Sequence, residues 1–228
     1  MAEVRFIERA APELADLLAR DVAGWLADAI GRRARASLVV PGGTTPGPFL
    51  DALANRPIDW ARVSVVASDE RRVSLASPRS NEAMIRARLL RGPAAAARLV
   101  SLLPAGEGAG AMDEVRARVR PLLPFDVCVL GLGEDGHTAS LFPAADRLAE
   151  ALADDAPAVL PIRAPGAAEA RLTLSAAVLR DADRVCLLLS GPAKRETLGR
   201  AMRPGPAADM PVRAILARPG LVDVYWSP

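Results

Sequence analysis

The chain has 228 residues, with 29 Lys plus Arg against 27 Asp plus Glu, 51% apolar residues and 25% charged ones. A sizeable core can be buried and nothing in this balance points to disorder. Cations are spread along the chain in short clusters such as Arg32, Arg33 and Arg35, and aromatics make up only 4%, which argues against a nucleic-acid binder.

In chain order, Pro12 opens a helix over 12–30, whose Leu14, Leu17, Leu18, Val22, Trp25, Leu26 and Ile30 follow the helical period. Ser37–Val40 reads as a short buried strand, Pro46–Ala54 as a helix and Val63–Ala67 as a second strand. Asn81–Leu90 is helical, Leu99–Leu103 a weaker strand and Met112–Leu122 helical again. Val127–Leu130 is a strong strand ended by a glycine-rich loop. Val185–Leu189 is another, followed by a helix from about Pro192, and Val212–Leu216 is taken as the last strand. The Pro/Gly/Ala stretches near 92–97, 104–111, 164–168 and 203–208 read as loops. Short apolar strands separated by helices imply an α/β fold with a parallel sheet covered on both faces. No linker divides residues 1–228, so a single domain is expected. No apolar run reaches the ~18 residues of a membrane span and no signal-peptide layout is present, so the expectation is a cytoplasmic protein without a membrane partner.

Cys128 and Cys186 lie inside apolar runs and read as buried, reduced core residues. With His137 as the only histidine, a zinc site of ordinary ligands is hard to assemble and no metal is expected, although Asp69, Glu70 and Asp135 could still supply an oxygen-only site for magnesium. Lys194 is the only lysine in a chain whose other cations are arginines. A site that wants a compact ammonium would explain it, and so would chance retention.

Four polar segments each follow a strand. Parallel strands end on one edge of their sheet, where ligands bind, so segments distant in sequence can meet there. Pro41-Gly42-Gly43-Thr44-Thr45-Pro46 could cradle phosphate on backbone N–H groups and hydroxyls, or be an ordinary strand-to-helix turn. Ser68-Asp69-Glu70-Arg71-Arg72 could transfer protons and bind an anion; taken alone it reads as a solvated charged turn. Gly131 to Pro143 frames Glu134, Asp135 and His137 with glycines. Histidine is the side chain best suited to accept a proton near neutral pH, and Asp135 or Glu134 could orient it. Ser190 to Glu196 puts Lys194 in the first turn of a helix, where a bound anion would offset its charge.

Together these segments resemble those of the 6-phosphogluconolactonases, within the superfamily that includes glucosamine-6-phosphate isomerase/deaminase. Gly131 to Pro143 resembles the G-x-G-x-D-G-H-T-A-S-L-F-P signature at nearly every position. Residues 41–46 resemble S-G-G-S/T-T-P, residues 68–71 with Ser80-Asn81 a D-E-R…S-N pair, Arg171 to Leu174 R-[IL]-T-[LF], and Gly191 to Lys194 G-x-x-K. Pro41 replaces the usual Ser and removes one backbone donor. The resemblance implies a three-layer, modified Rossmann-like α/β domain that hydrolyses 6-phospho-D-glucono-1,5-lactone without a cofactor. It implies His137 as general base supported by Asp135, with Asp69 and Glu70 lining the sugar site. Arg71, Arg171 and Lys194 would hold phosphate or the developing oxyanion, assisted by Gly42, Gly43, Thr44 and Thr45. The alternatives are an amino-sugar-phosphate isomerase or deaminase with Asp69 as carbon base, and a non-catalytic sugar-phosphate sensor. The T-A-S-L-F-P ending favours the lactonase over the N-E-P ending of deaminases. The segment before the first expected strand is too short for a sensor's helix-turn-helix.

Overall fold

The structure, a computed structural model, describes residues 2–106, 108 and 110–228; positions 107 and 109, within the loop expected at 104–111, lie outside the described residues. The strands are β1 (Glu3–Glu8), β2 (Ala36–Val40), β3 (Val63–Ala67), β4 (Asp69–Arg71), β5 (Arg98–Val100), β6 (Val127–Leu130), β7 (Val159–Ile162), β8 (Arg171–Leu174), β9 (Arg184–Ser190) and β10 (Leu221–Ser227). Seven of them form one sheet in the order β1-β10-β9-β6-β2-β3-β5, and every adjacent pair is parallel. The other three make a small antiparallel sheet, β4-β8-β7.

The helices are α1 (Ala11–Arg33), α2 (Gly47–Leu53), α3 (Asn81–Arg88), α4 (Ala111–Val119), α5 (Leu148–Leu152), α6 (Ala176–Arg180), α7 (Pro192–Ala201) and α8 (Val212–Leu216). Strand side chains alternate between the faces of the sheet. Leu38, Val40, Val127, Val129 and Leu188 meet α1, α2 and α3 on one side. Val39, Leu130, Val185, Leu187 and Leu189 meet α4 to α8 on the other. Burial on both faces is why these strands read as unbroken apolar runs.

The expected strand at Val212–Leu216 is helix α8. Four of its five residues are buried, and an apolar run of that length is too short to separate a period of 3.6 from a buried strand. The last strand is β10, just beyond. Its apolar run is broken by Asp223, a buried acid that accepts from Arg5 Nε of β1 at 2.7 Å. The edge strand β1 lacks a strand signal in the sequence because Glu3, Arg5 and Glu8 give it the charge of a surface segment.

From β2 the chain moves outward to β3 and β5, then returns to place β6 on the opposite flank of β2. Strand order therefore reverses between β2 and β6, which opens a crevice at their carboxyl ends.

Candidate active site

A cleft of about 280 Å³ occupies that crevice, and all four strand-end segments reach it. Residues 41–46 come from the end of β2, Ser68, Asp69 and Arg71 from the end of β3, residues 131–133 and 137–139 from the end of β6, and Lys194 from the start of α7 after β9. Arg171 enters from β8.

The loop after β6 is a closed turn built around its histidine. Gly133 N–H donates to His137 O at 2.9 Å, Gly136 N–H to Gly133 O at 2.9 Å, and Thr138 Oγ1 to Gly131 O at 2.8 Å. Asp135 Oδ1 accepts the His137 amide at 3.0 Å and lies 2.6 Å from His137 Nδ1. A carboxylate there holds the proton on Nδ1 and leaves Nε2 as the basic nitrogen. Position 133 has to be glycine, because a Cβ would lie 2.1 Å from the imidazole. His137 stacks on Phe142, with ring centroids 3.9 Å apart. Ala139, which lines the cleft, has a φ of 49°, a conformation that costs a residue with a side chain about 1–3 kcal/mol.

The D-E-R and R-L-T-L segments are the paired strands β4 and β8, with Asp69 opposite Thr173 and Arg71 opposite Arg171. Two like charges directly opposed on a ladder repel, so the pair suits an anion. Burial is the main influence lowering the Arg171 guanidinium from its ordinary value; Asp69 opposes it and Arg71 adds to it. Asp69 is buried and engaged through both oxygens: Oδ2 accepts from Ser140 Oγ at 2.5 Å and lies 3.6 Å from Arg171 Nη1, and Oδ1 accepts from Ser68 Oγ at 3.1 Å. The Arg171 guanidinium also stands 5.1 Å from the Phe142 ring centroid.

Glu70 does not line the cleft, contrary to expectation. Its carboxylate accepts from the backbone N–H groups of Arg71 (2.7 Å), Asn81 (2.9 Å) and Glu82 (2.6 Å) and from Ser80 Oγ (3.1 Å). Two of those amides are orphan donors of the first turn of α3, where an anion is favoured. In an extended strand neighbouring side chains point to opposite faces, so Asp69 and Glu70 cannot both face the cleft.

Among the described residues, no amide of Gly42, Gly43, Thr44 or Thr45 donates a hydrogen bond, nor does either threonine hydroxyl. Four consecutive free donors at a strand end are the kind of surface that can take an anion. Gly42 is required here because a Cβ would lie 2.3 Å from the Asn81 side chain, whose Nδ2 donates to Asp69 O at 2.7 Å. Lys194 is half-buried, and its ammonium has no partner among the described residues. The neighbouring Arg195, by contrast, is engaged by Glu8, Phe6 and Trp226.

Cys128 and Cys186 are free and buried, and burial pushes both thiols up, which removes them as nucleophiles. Among the described residues no three His, Cys, Asp or Glu side chains gather to hold a metal ion. Phe142 and Ser140 support the site side chains from outside the cleft lining, one stacked on His137 and the other donating to Asp69. A phenylalanine and a serine in a loop carry no chemical signature until their contacts are known.

A family model for glucosamine-6-phosphate isomerases/6-phosphogluconolactonase matches residues 9–226. A 6-phosphogluconolactonase of Mesorhizobium japonicum is 47% identical over 223 residues, covering 95% of this chain and 92% of its own. One of Rhizobium meliloti is 43% identical over 219 residues, covering 94% of each. The crystal structure of a 6-phosphogluconolactonase from Shewanella baltica matches with a TM-score of 0.92 and 34% identity, covering 99% of this chain and 98% of its own.

Proposed function

The chain belongs to the family of glucosamine-6-phosphate isomerases and 6-phosphogluconolactonases, and on that premise we propose that it hydrolyses 6-phospho-D-glucono-1,5-lactone to 6-phosphogluconate, a step of the pentose phosphate pathway. The observation that carries this reading is His137, held through Nδ1 by Asp135 at 2.6 Å in a cleft that Lys194 enters from a neighbouring strand end.

In this reading the phosphate docks on Lys194 and the free amides of residues 42–45. That leaves the lactone ring between His137 and the Arg71–Arg171 pair. His137 Nε2 takes a proton from water as the water oxygen bonds to the lactone carbonyl carbon. Asp135 stabilises the imidazolium, and Arg171 faces the oxyanion. The carbon–ring-oxygen bond then breaks, the imidazolium returns its proton to the ring oxygen, and the carboxylic acid so formed releases its remaining proton to solvent to leave the carboxylate. General base catalysis supplies about 10²–10⁴-fold and oriented donors at the oxyanion about 10²–10³-fold. A lactone is an activated ester, so these contributions suffice without a covalent intermediate.

A deaminase would need Asp69 to take a proton from carbon. Its engagement with Ser140, Ser68 and Arg171 favours an electrostatic and orienting role instead. Among the described residues no helix is long and apolar enough to cross a membrane, and we place the reaction in the cytoplasm, with a small phosphosugar lactone as partner.

Isotope transfer tests the reaction type. The reading expects one oxygen-18 from labelled water in the product carboxylate and no deuterium at carbon from heavy water. Carbon–hydrogen exchange on glucosamine 6-phosphate, with no lactone turnover above spontaneous hydrolysis, would overturn it.

A further inference from the structure

The loop that carries His137 is fastened from behind by the helix that carries Lys194. One turn beyond Lys194 on α7, Thr197 Oγ1 donates to Glu134 O at 3.2 Å. Another turn on, Arg200 Nη2 donates to the same carbonyl at 2.9 Å and to Thr197 Oγ1 at 2.9 Å. Glu134 immediately precedes Asp135, the residue that holds the imidazole. Two donors on one carbonyl, one of them cationic, make a firm attachment. The far end of α7 is tied into the same unit. Arg213 of α8 donates to Arg200 O at 3.2 Å and to Ala201 O at 3.3 Å, and Val212 N–H, one residue earlier, donates to Gly136 O at 3.0 Å. The helix that bears Lys194 and the His137 loop are therefore joined by a continuous set of hydrogen bonds.

We propose that Arg200 and Thr197 are positioning residues through which phosphate docked on Lys194 aligns His137 for the chemical step. This inference rests on the assignment of the substrate phosphate to Lys194. Phosphate docked between Lys194 and the free amides of residues 42–45 ties the start of α7 to the end of β2, and the Glu134 carbonyl bonded to α7 is held in register with it. Misplacing a catalytic group by 1 Å costs about 100-fold in rate, so a shift of a few tenths of an ångström is enough to matter. Binding energy from the remote phosphate is thereby spent at the reacting centre, and appears in kcat rather than only in KM.

The experiment compares kcat and KM for the phosphorylated lactone and for unphosphorylated glucono-1,5-lactone, with spontaneous hydrolysis subtracted, in the wild type and in Arg200→Met. The expected result is a fall of about tenfold or more in the ratio of the two kcat values, within the ~5–150-fold range of ordinary coupling between sites. KM for the phosphorylated lactone should stay within about twofold of wild type, and Arg200→Lys should recover part of the ratio. Thr197→Val, which removes only a hydroxyl, should lower the ratio in the same direction and gives the answer if Arg200→Met does not fold. A folded variant in which both substrates lose kcat in equal proportion overturns the coupling and leaves the phosphate assignment standing. A wild-type enzyme with equal kcat for both lactones overturns the coupling at its source. If KM also fails to distinguish the two lactones, the phosphate assignment falls with it.

Discussion

The imidazole of His137 and the ring of Phe142 stack with centroids 3.9 Å apart and planes 28° from parallel, and the guanidinium of Arg171 stands 5.1 Å from the same ring. One side chain thus touches both the proposed base and the cation proposed to face the oxyanion. Aromatic pairs and exposed cation–π contacts are worth about 0.5–1.5 kcal/mol each. Phe142→Leu is expected to lower kcat by about three- to tenfold with little change in KM, and Phe142→Tyr to restore it. Steady-state kinetics of the two variants checks this; an unaffected kcat in Phe142→Leu contradicts it.

Lys194 is predicted to act through the phosphate. Lys194→Ala should raise KM for the phosphorylated lactone far more than for the unphosphorylated one. Lys194→Arg should rescue only in part, because a planar fork replaces a compact charge. Equal proportional losses on the two substrates would place the lysine at the reacting centre or in the fold.

Glu70 is predicted to matter for stability rather than turnover. Its carboxylate satisfies three backbone donors and the Ser80 hydroxyl. Glu70→Gln puts a donor where an acceptor is needed, at a cost of about 1–3 kcal/mol. For a chain of this length that lowers Tm by several degrees, with kcat of the folded variant close to wild type. Thermal unfolding followed alongside activity separates the two effects; a large loss of kcat at unchanged Tm would return Glu70 to the cleft.

The reaction proposed above uses no metal. Activity should survive dialysis against a chelator, whereas loss that an added divalent cation restores would contradict this.

The interior of the sheet was legible in the sequence because β2, β3, β6 and β9 are buried on both faces and therefore read as apolar runs. The convergence of the four loops was legible for a related reason: parallel strands share one carboxyl edge, so residues 41–46, Asp69, His137 and Lys194 had to lie on it. Edges and short elements were not legible. β1 is half charged, β10 hides Asp223 behind an ion pair with Arg5, and α8 is too short to show its period. At the site, the sequence could mark Asp69 and Glu70 as adjacent acids but not choose between them. The choice depends on which face of β4 points to the cleft, and so on pairing with β8 more than 100 residues away. The fastening of the His137 loop by Thr197 and Arg200 is likewise a long-range contact, from helix residues that look like ordinary surface.

Assigning the proton transfer to His137 is tested most directly by single-turnover hydrolysis of saturating phosphorylated lactone by His137→Asn, with spontaneous hydrolysis subtracted and folding verified by circular dichroism. The chemical rate is predicted to fall by at least ~10²-fold while the fold and the affinity for the lactone persist. A folded variant that turns over at close to the wild-type rate would contradict the account.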